Sequence, residues 1–211
     1  MRLGPQDASR LLEHPEKVFV ISGPSGVGKN TIARALCRAG TAVRAVTATS
    51  RPPRPGEADG RDYHFVSAEE FEQWLREGRL LEHTRYCGHY YGTPAFSVNR
   101  ACEAGLPVLL VIDVEGALQL RARWQGLRLI FIAPPDEGAL RDRLAQRGDI
   151  TEVQAQERLE RAREEMSLAH RYDWTVVNDQ LESAVQEVAR ILAEAQPQAS
   201  TGPDRTRPSD P

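Results

Sequence analysis

The chain is predicted to be an α/β protein, a three-layer fold in which helices cover both faces of a parallel sheet. Three observations predict it. Residues 18–21, 43–46, 108–114, 129–132 and 174–177 are near-continuous apolar runs, as expected of strands buried on both faces. Helical spacing of apolar residues fills most of the gaps between them, the rhythm of strand, crossover helix and parallel strand. The run at 18–21 passes through a glycine-rich turn into an amphipathic segment containing Ile32, Ala33 and Leu36. At 211 residues and 40% hydrophobic content, the chain can bury a substantial core in one domain with insertions.

The first turn reads Gly23, Pro24, Ser25, Gly26, Val27, Gly28, Lys29, Asn30, Thr31. A strand, a Gly-rich turn ending in lysine and a helix are the context a phosphate-binding P-loop requires. Glycines let successive N–H groups face one anion, and the new helix adds its positive dipole end. Lys29 brings a full charge that follows the β- and γ-phosphates. The turn is therefore expected to bind a nucleoside triphosphate. Asn30 stands where most P-loops have the Ser or Thr that touches magnesium, so its amide oxygen is at best a neutral ligand.

The strand–helix rhythm breaks between residues 51 and 95. A rigid turn (Pro52, Pro53, Arg54, Pro55, Gly56) leads to a short strand-like piece at 62–66. A helix is expected over about 67–76, with Ser67 as N-cap and Glu70 completing a capping box. Residues 80–91, rich in β-formers and aromatics, complete a small α+β insertion at 51–94. The sheet core is assigned to 17–50, 95–140 and 172–195. Residues 141–171 form a second, charged helical insertion. Within it Arg143, Arg147 and Arg158 are expected to clamp phosphates as a lid. Arg161 and Arg163 are expected on a solvated face, with Glu157 and Arg161 as an i,i+4 ion pair. Residues 1–16 are an N-terminal extension, and 196–211, polar and without an apolar pattern, are expected to be disordered.

Composition excludes several classes. A formal net charge of -3 argues against a nucleic-acid binder. No apolar run approaches the ~20 residues of a membrane helix, and the first residues lack the apolar block of a signal peptide. Cys37, Cys87 and Cys102 have no metal-ligand spacing, so they are expected as free thiols in a reducing cytoplasm.

The segment from Thr47 through Arg51, Arg54, Glu57 and Tyr63 closely resembles the acceptor-binding segment of guanylate kinases. So does the stretch Gly88, His89, Tyr90, Tyr91, Gly92, Thr93. With the P-loop, Ile112-Asp113-Val114-Glu115-Gly116 and Val177-Asn178-Asp179, the resemblance covers most of residues 17–195. It implies ATP-dependent phosphorylation of GMP (and dGMP), with magnesium accompanying ATP, on a core, acceptor-domain and lid architecture.

The residues fit that chemistry. Arg51 and Arg54 flank a stiff Pro-Pro turn, and arginine's planar donor fork suits an acceptor phosphate. The resemblance gives Tyr63 and Tyr91 hydrogen bonds to the same phosphate. Guanine presents donors at N1 and its 2-amino group, so its site needs a carboxylate. Glu82 matches the family's guanine-reading glutamate, Thr47 and Thr93 its hydroxyl contacts, and Asp113 its second carboxylate. Asn178 matches a position near the adenine of ATP, while a turn-forming Asn is the competing reading. Lys29, Arg51, Arg143, Arg147 and Arg158 are the expected catalytic cations. The family usually has an acidic residue two positions before Asp113; here it is Val111, so the metal ligands stay unassigned. Two rival readings remain at this stage: a phosphotransferase with another acceptor, and a guanylate-kinase-like interaction module without catalysis.

Overall fold

The computed structural model describes residues 12–86, 88–145 and 152–195. Five parallel strands form the core sheet in the order β2-β7-β1-β8-β9. These are β1 (Val18–Ser22), β2 (Val43–Arg44), β7 (Val108–Val111), β8 (Arg128–Ala133) and β9 (Trp174–Val177). Alternation along the strands explains the three layers. Val18, Val20, Val108, Leu110 and Leu129 face one side, where they pack with α3 (Ala95–Cys102) and α4 (Val114–Arg123). Phe19, Ile21, Leu109, Val111, Ile130 and Ile132 face the other, against α1 (Lys29–Arg38) and α7 (Leu181–Glu194). Leu12, from the expected N-terminal extension, is buried in the first of these clusters.

Two strand predictions need correction. The run expected at 108–114 ends as a strand at Val111, because Asp113 caps α4 by accepting from the Gly116 N–H at 2.8 Å. Val114 is thus the first residue of a helix. The run at 43–46 is a strand only to Arg44. Beyond it the Val46 N–H turns to the Ser97 hydroxyl at 3.0 Å, and the chain leaves the core sheet.

It enters a second sheet of order β4-β3-β6-β5. Here β3 is Ala48–Thr49, β4 is His64–Phe65, β5 is Leu80–Tyr86 and β6 is His89–Pro94. Since β3 pairs with β4 and β6, this sheet begins at residue 48, ahead of the boundary expected at 51. Helix α2 (Ala68–Arg76) covers it, burying Phe71 and Trp74, and the Ser67 hydroxyl accepts from the Glu70 N–H as predicted. The Phe71 ring stacks on Tyr90 at 5.1 Å.

The segment expected as a lid, 141–171, takes in the end of α5 (Glu137–Ala145) and all of α6 (Glu152–Ser167); the two helices bury Leu140, Leu144, Leu159 and Ala162 against each other. Arg147, Cys87 and the tail at 196–211 lie outside the described residues. Cys37 and Cys102 are free thiols. No described helix is long and apolar enough to cross a membrane.

Candidate functional site

The chain runs from β1 to the sheet edge at β2, and later returns through β7 on one side of β1 and β8 on the other. A crevice therefore opens beyond the carboxyl end of β1, the place where open α/β sheets bind ligands. Here it is a cleft of about 380 Å³.

The glycine-rich turn forms its floor. Gly23 and Gly28 sit at φ 135° and 97°, a region closed to most side chains, and Gly28 caps α1. Lys29 folds back to donate to the carbonyls of Gly23 (2.5 Å) and Pro24 (2.9 Å), which holds its ammonium over the loop. Gly23, Ser25, Gly26, Gly28, Lys29, Asn30 and Thr31 line the cleft. Pro24 and Val27 are buried and complete the loop from behind.

At the cleft's other end stand Thr47, Arg51, Arg54, Glu57, Tyr63, Tyr91 and Glu82. Arg51 is only 8% exposed. Its guanidinium makes a bidentate pair with Glu57, both contacts at 2.7 Å, and lies 5.1 Å from the centre of the Tyr63 ring. Donating to Glu57 raises the Arg51 pKa despite burial. Glu57 also accepts from the Arg54 N–H at 2.8 Å. Both Glu57 oxygens are thus committed to the two arginines. It orients the Arg51 guanidinium and ties down the Arg54 backbone, whereas the sequence reading placed it on the nucleotide. Tyr63 and Tyr91 meet edge to face at 6.3 Å, and burial pushes the Tyr91 phenol upward.

Glu82 is 3% exposed, so it is far from the surface charge that a lone glutamate on a strand suggests. Thr93 donates to its Oε1 at 2.6 Å. A Cβ on Gly116 would lie 2.4 Å from its Oε2, so a glycine at the start of α4 makes room for the carboxyl. Burial pushes the Glu82 pKa up to about 8; Asp113 and Glu115 add like charge, while the Thr93 bond and Arg123 oppose them. Asp113 lines the cleft too, but one oxygen caps α4 and the other accepts from Thr84 at 2.9 Å.

Helix α6 contributes Arg158, Arg161 and Glu165, one face at i, i+3 and i+7. This corrects the reading of Arg161 as solvated. It is half-buried, pairs with Glu165 (3.1 Å) rather than Glu157, and lies 4.9 Å from the Tyr86 ring centre. Burial works against the Arg161 charge, and the hydrogen bond and opposite charge of Glu165, joined by the Asp113 carboxylate, together outweigh it. Arg163 does lie on the exposed face, paired with Glu137. Thr84 and Tyr86 were missed as well, although they follow Glu82 at the strand period of two. The helical period likewise joins Arg161 and Glu165 to Arg158.

Asn178, expected near the adenine of ATP, and Arg143, expected to clamp phosphates from the lid, are not among the cleft-lining residues. Arg143 donates to the Asn178 carbonyl at 2.9 Å, and the Asn178 amide donates to Val27 O at 2.8 Å. Val111 lines the cleft wall where a carboxylate was sought, its side chain packed on the α1 face of the sheet.

A family model described as guanylate kinase matches residues 15–195. The chain belongs to the guanylate kinase family. It is 48% identical to the guanylate kinase of Gloeobacter violaceus over 191 residues, covering 90% of this chain and 93% of that protein. It is 44% identical to that of Streptococcus thermophilus, covering 83% and 85%. Among solved structures, guanylate kinase from Anaplasma phagocytophilum superposes with a TM-score of 0.71 at 32% identity, covering 86% of this chain and 87% of that one.

Proposed function

We propose that this guanylate kinase transfers the γ-phosphoryl of ATP in line to a phosphate oxygen of GMP or dGMP, giving ADP and GDP or dGDP. The observation that carries the reading is one cleft with a P-loop floor and, at its far end, a buried carboxylate beside an arginine–tyrosine cage. The P-loop amides and Lys29 hold the donor. Arg51, fixed by Glu57, and Arg54 hold the acceptor phosphate with Tyr63 and Tyr91. Glu82 accepts from guanine N1–H and the 2-amino group. Adenine, with an acceptor at N1, meets like polarity there, so repulsion contributes to selectivity.

No general base is required, because a phosphomonoester's second pKa is about 6 and its oxygen is largely ionised at neutral pH. The protein positions two mutually repelling anions and surrounds the transferring group with cationic donors. Arg158 and Arg161 bring such donors from α6, where closure also excludes water.

Magnesium fits as an ion carried by the ATP phosphates. Asn30 and Thr31 line the cleft and carry only neutral oxygens, Val111 offers none, and no cluster of three carboxylate, His or Cys ligands occurs among the described residues. Such a donor set suits a cation that keeps several waters, and the ion would neutralise phosphate charge during transfer. The reading places the enzyme in the reducing cytoplasm, supported by the free thiols of Cys37 and Cys102.

A coupled assay with ATP and each of GMP, dGMP, AMP, CMP and UMP tests the assignment. Turnover should be confined to the two guanine nucleotides, and equal rates with AMP would overturn it. Lys29→Ala should abolish transfer while calorimetry still detects GMP binding. Loss of GMP binding in that variant would refute the division into donor and acceptor ends.

A further inference from the structure

We propose that Asn178 and Arg143 are positioning residues that hold the P-loop in its binding curvature, acting through the loop's backbone rather than on the adenine base. The inference rests on the donor-site reading above. Asn178 follows β9 and is 5% exposed. Its N–H donates to the Ala133 carbonyl at the end of β8, at 2.8 Å. Its side-chain Nδ2 donates to Val27 O at 2.8 Å, and its own carbonyl accepts from Arg143 on α5 at 2.9 Å. Three separate elements are thus tied to the loop through one residue.

The loop needs such a tie. When successive N–H groups of a Gly-rich turn face an anion, carbonyls are driven to the opposite side. Val27 lies between Gly26 (φ 88°) and Gly28 (φ 97°) with its side chain wholly buried, so its carbonyl must find a donor inside the protein. The Asn178 amide supplies one without adding charge; an aspartate would set oxygen against oxygen. Gly28 permits the approach, since a Cβ there would lie 2.4 Å from Asn178 Nδ2. Arg143 pins the Asn178 carbonyl from α5, so the helix that leads into the lid segment and the phosphate-binding loop share one hydrogen-bonded link.

A ligand with phosphates and no base separates this role from adenine contact. Calorimetry with inorganic tripolyphosphate and with ATP should find both weakened by the same factor, about tenfold, in Asn178→Ala. GMP affinity should stay close to that of the unaltered protein. Weaker ATP binding with unchanged tripolyphosphate binding would overturn the proposal in favour of a base contact, and unchanged binding of both would overturn it too. Should Asn178→Ala fold poorly, Arg143→Met should weaken both ligands by a common, smaller factor; no loss there refutes the link. Failure of the protein to phosphorylate GMP would leave the tripolyphosphate comparison intact, so the two readings fail separately.

Discussion

Glu82 sits in a place where a carboxylate is least comfortable, and in the function proposed above guanine is the ligand that relieves it. In the free protein its pKa is held at about 8, chiefly by burial, so the group is largely protonated at neutral pH. Guanine's two donors favour the ionised form. GMP binding at pH 7 should therefore release a proton, and affinity should rise with pH until about 8 and then level off. Calorimetry in buffers of different ionisation enthalpy would measure the release, which Glu82→Gln should abolish. A raised carboxyl pKa favours the fold below the ordinary carboxylate range, and that advantage is lost as pH rises through about 8. The ligand-free protein should accordingly melt lower at pH 8 than at pH 5, with a flatter profile in Glu82→Gln. Loss of one charge-assisted hydrogen bond should also lower kcat/KM for GMP by about one to two orders of magnitude. AMP activity should fall less, narrowing the preference.

Helix α6 separates two arginines that look alike in the sequence. Arg161 faces the cleft between Glu165 and Tyr86, whereas Arg163 points outward to an exposed Glu137. Arg161→Ala should lower kcat/KM by about tenfold, the loss of ~1.4 kcal/mol from a cation at the transferring group. Arg163→Ala should stay within about twofold, because exposed ion pairs contribute little. Equal effects in steady-state kinetics would refute the assignment of the inner face. The same comparison explains the mistaken i,i+4 partner: Glu157 and Glu165 are equally spaced from Arg161, and only the packing of α6 chooses between them.

Across the whole molecule, Asp62 joins the acceptor insertion to the core. Its carboxylate accepts from the Ala58 N–H at 3.0 Å, from Arg61 at 2.9 Å and from Arg34 of α1 at 2.7 Å. Led by the Ala58 bond, these partners hold its pKa at about 2 despite burial. A depressed carboxyl pKa stabilises above the ordinary range and ceases to do so as pH falls through about 2. Asp62→Asn should lower the melting temperature at pH 7 by about 4–8 °C, with a smaller difference from the unaltered protein near pH 2. An unchanged melting temperature would mean that α1 and the insertion are not coupled here. Two insertions around one P-loop core also imply closure: X-ray scattering should give a smaller radius of gyration with a bisubstrate nucleotide than without, and identical profiles would count against it.

The sequence alone determined the layers, the P-loop and the guanylate kinase resemblance, because each is written in short-range patterns. Buried parallel strands are apolar runs, an anion-binding turn needs glycine and lysine at fixed spacing, and Ser67 caps a helix three residues from Glu70. It did not reveal that Val114 begins a helix, since a capping aspartate inside an apolar run changes nothing in its hydropathy. Nor could it choose partners for polar side chains. Glu57 turns to Arg51, Asn178 to Val27 and Arg143 to Asn178, while Arg161 turns into the cleft. Those choices join residues up to 151 positions apart. Only the tertiary structure decides them, because a buried polar group must be satisfied by whatever donor or acceptor the fold brings within reach.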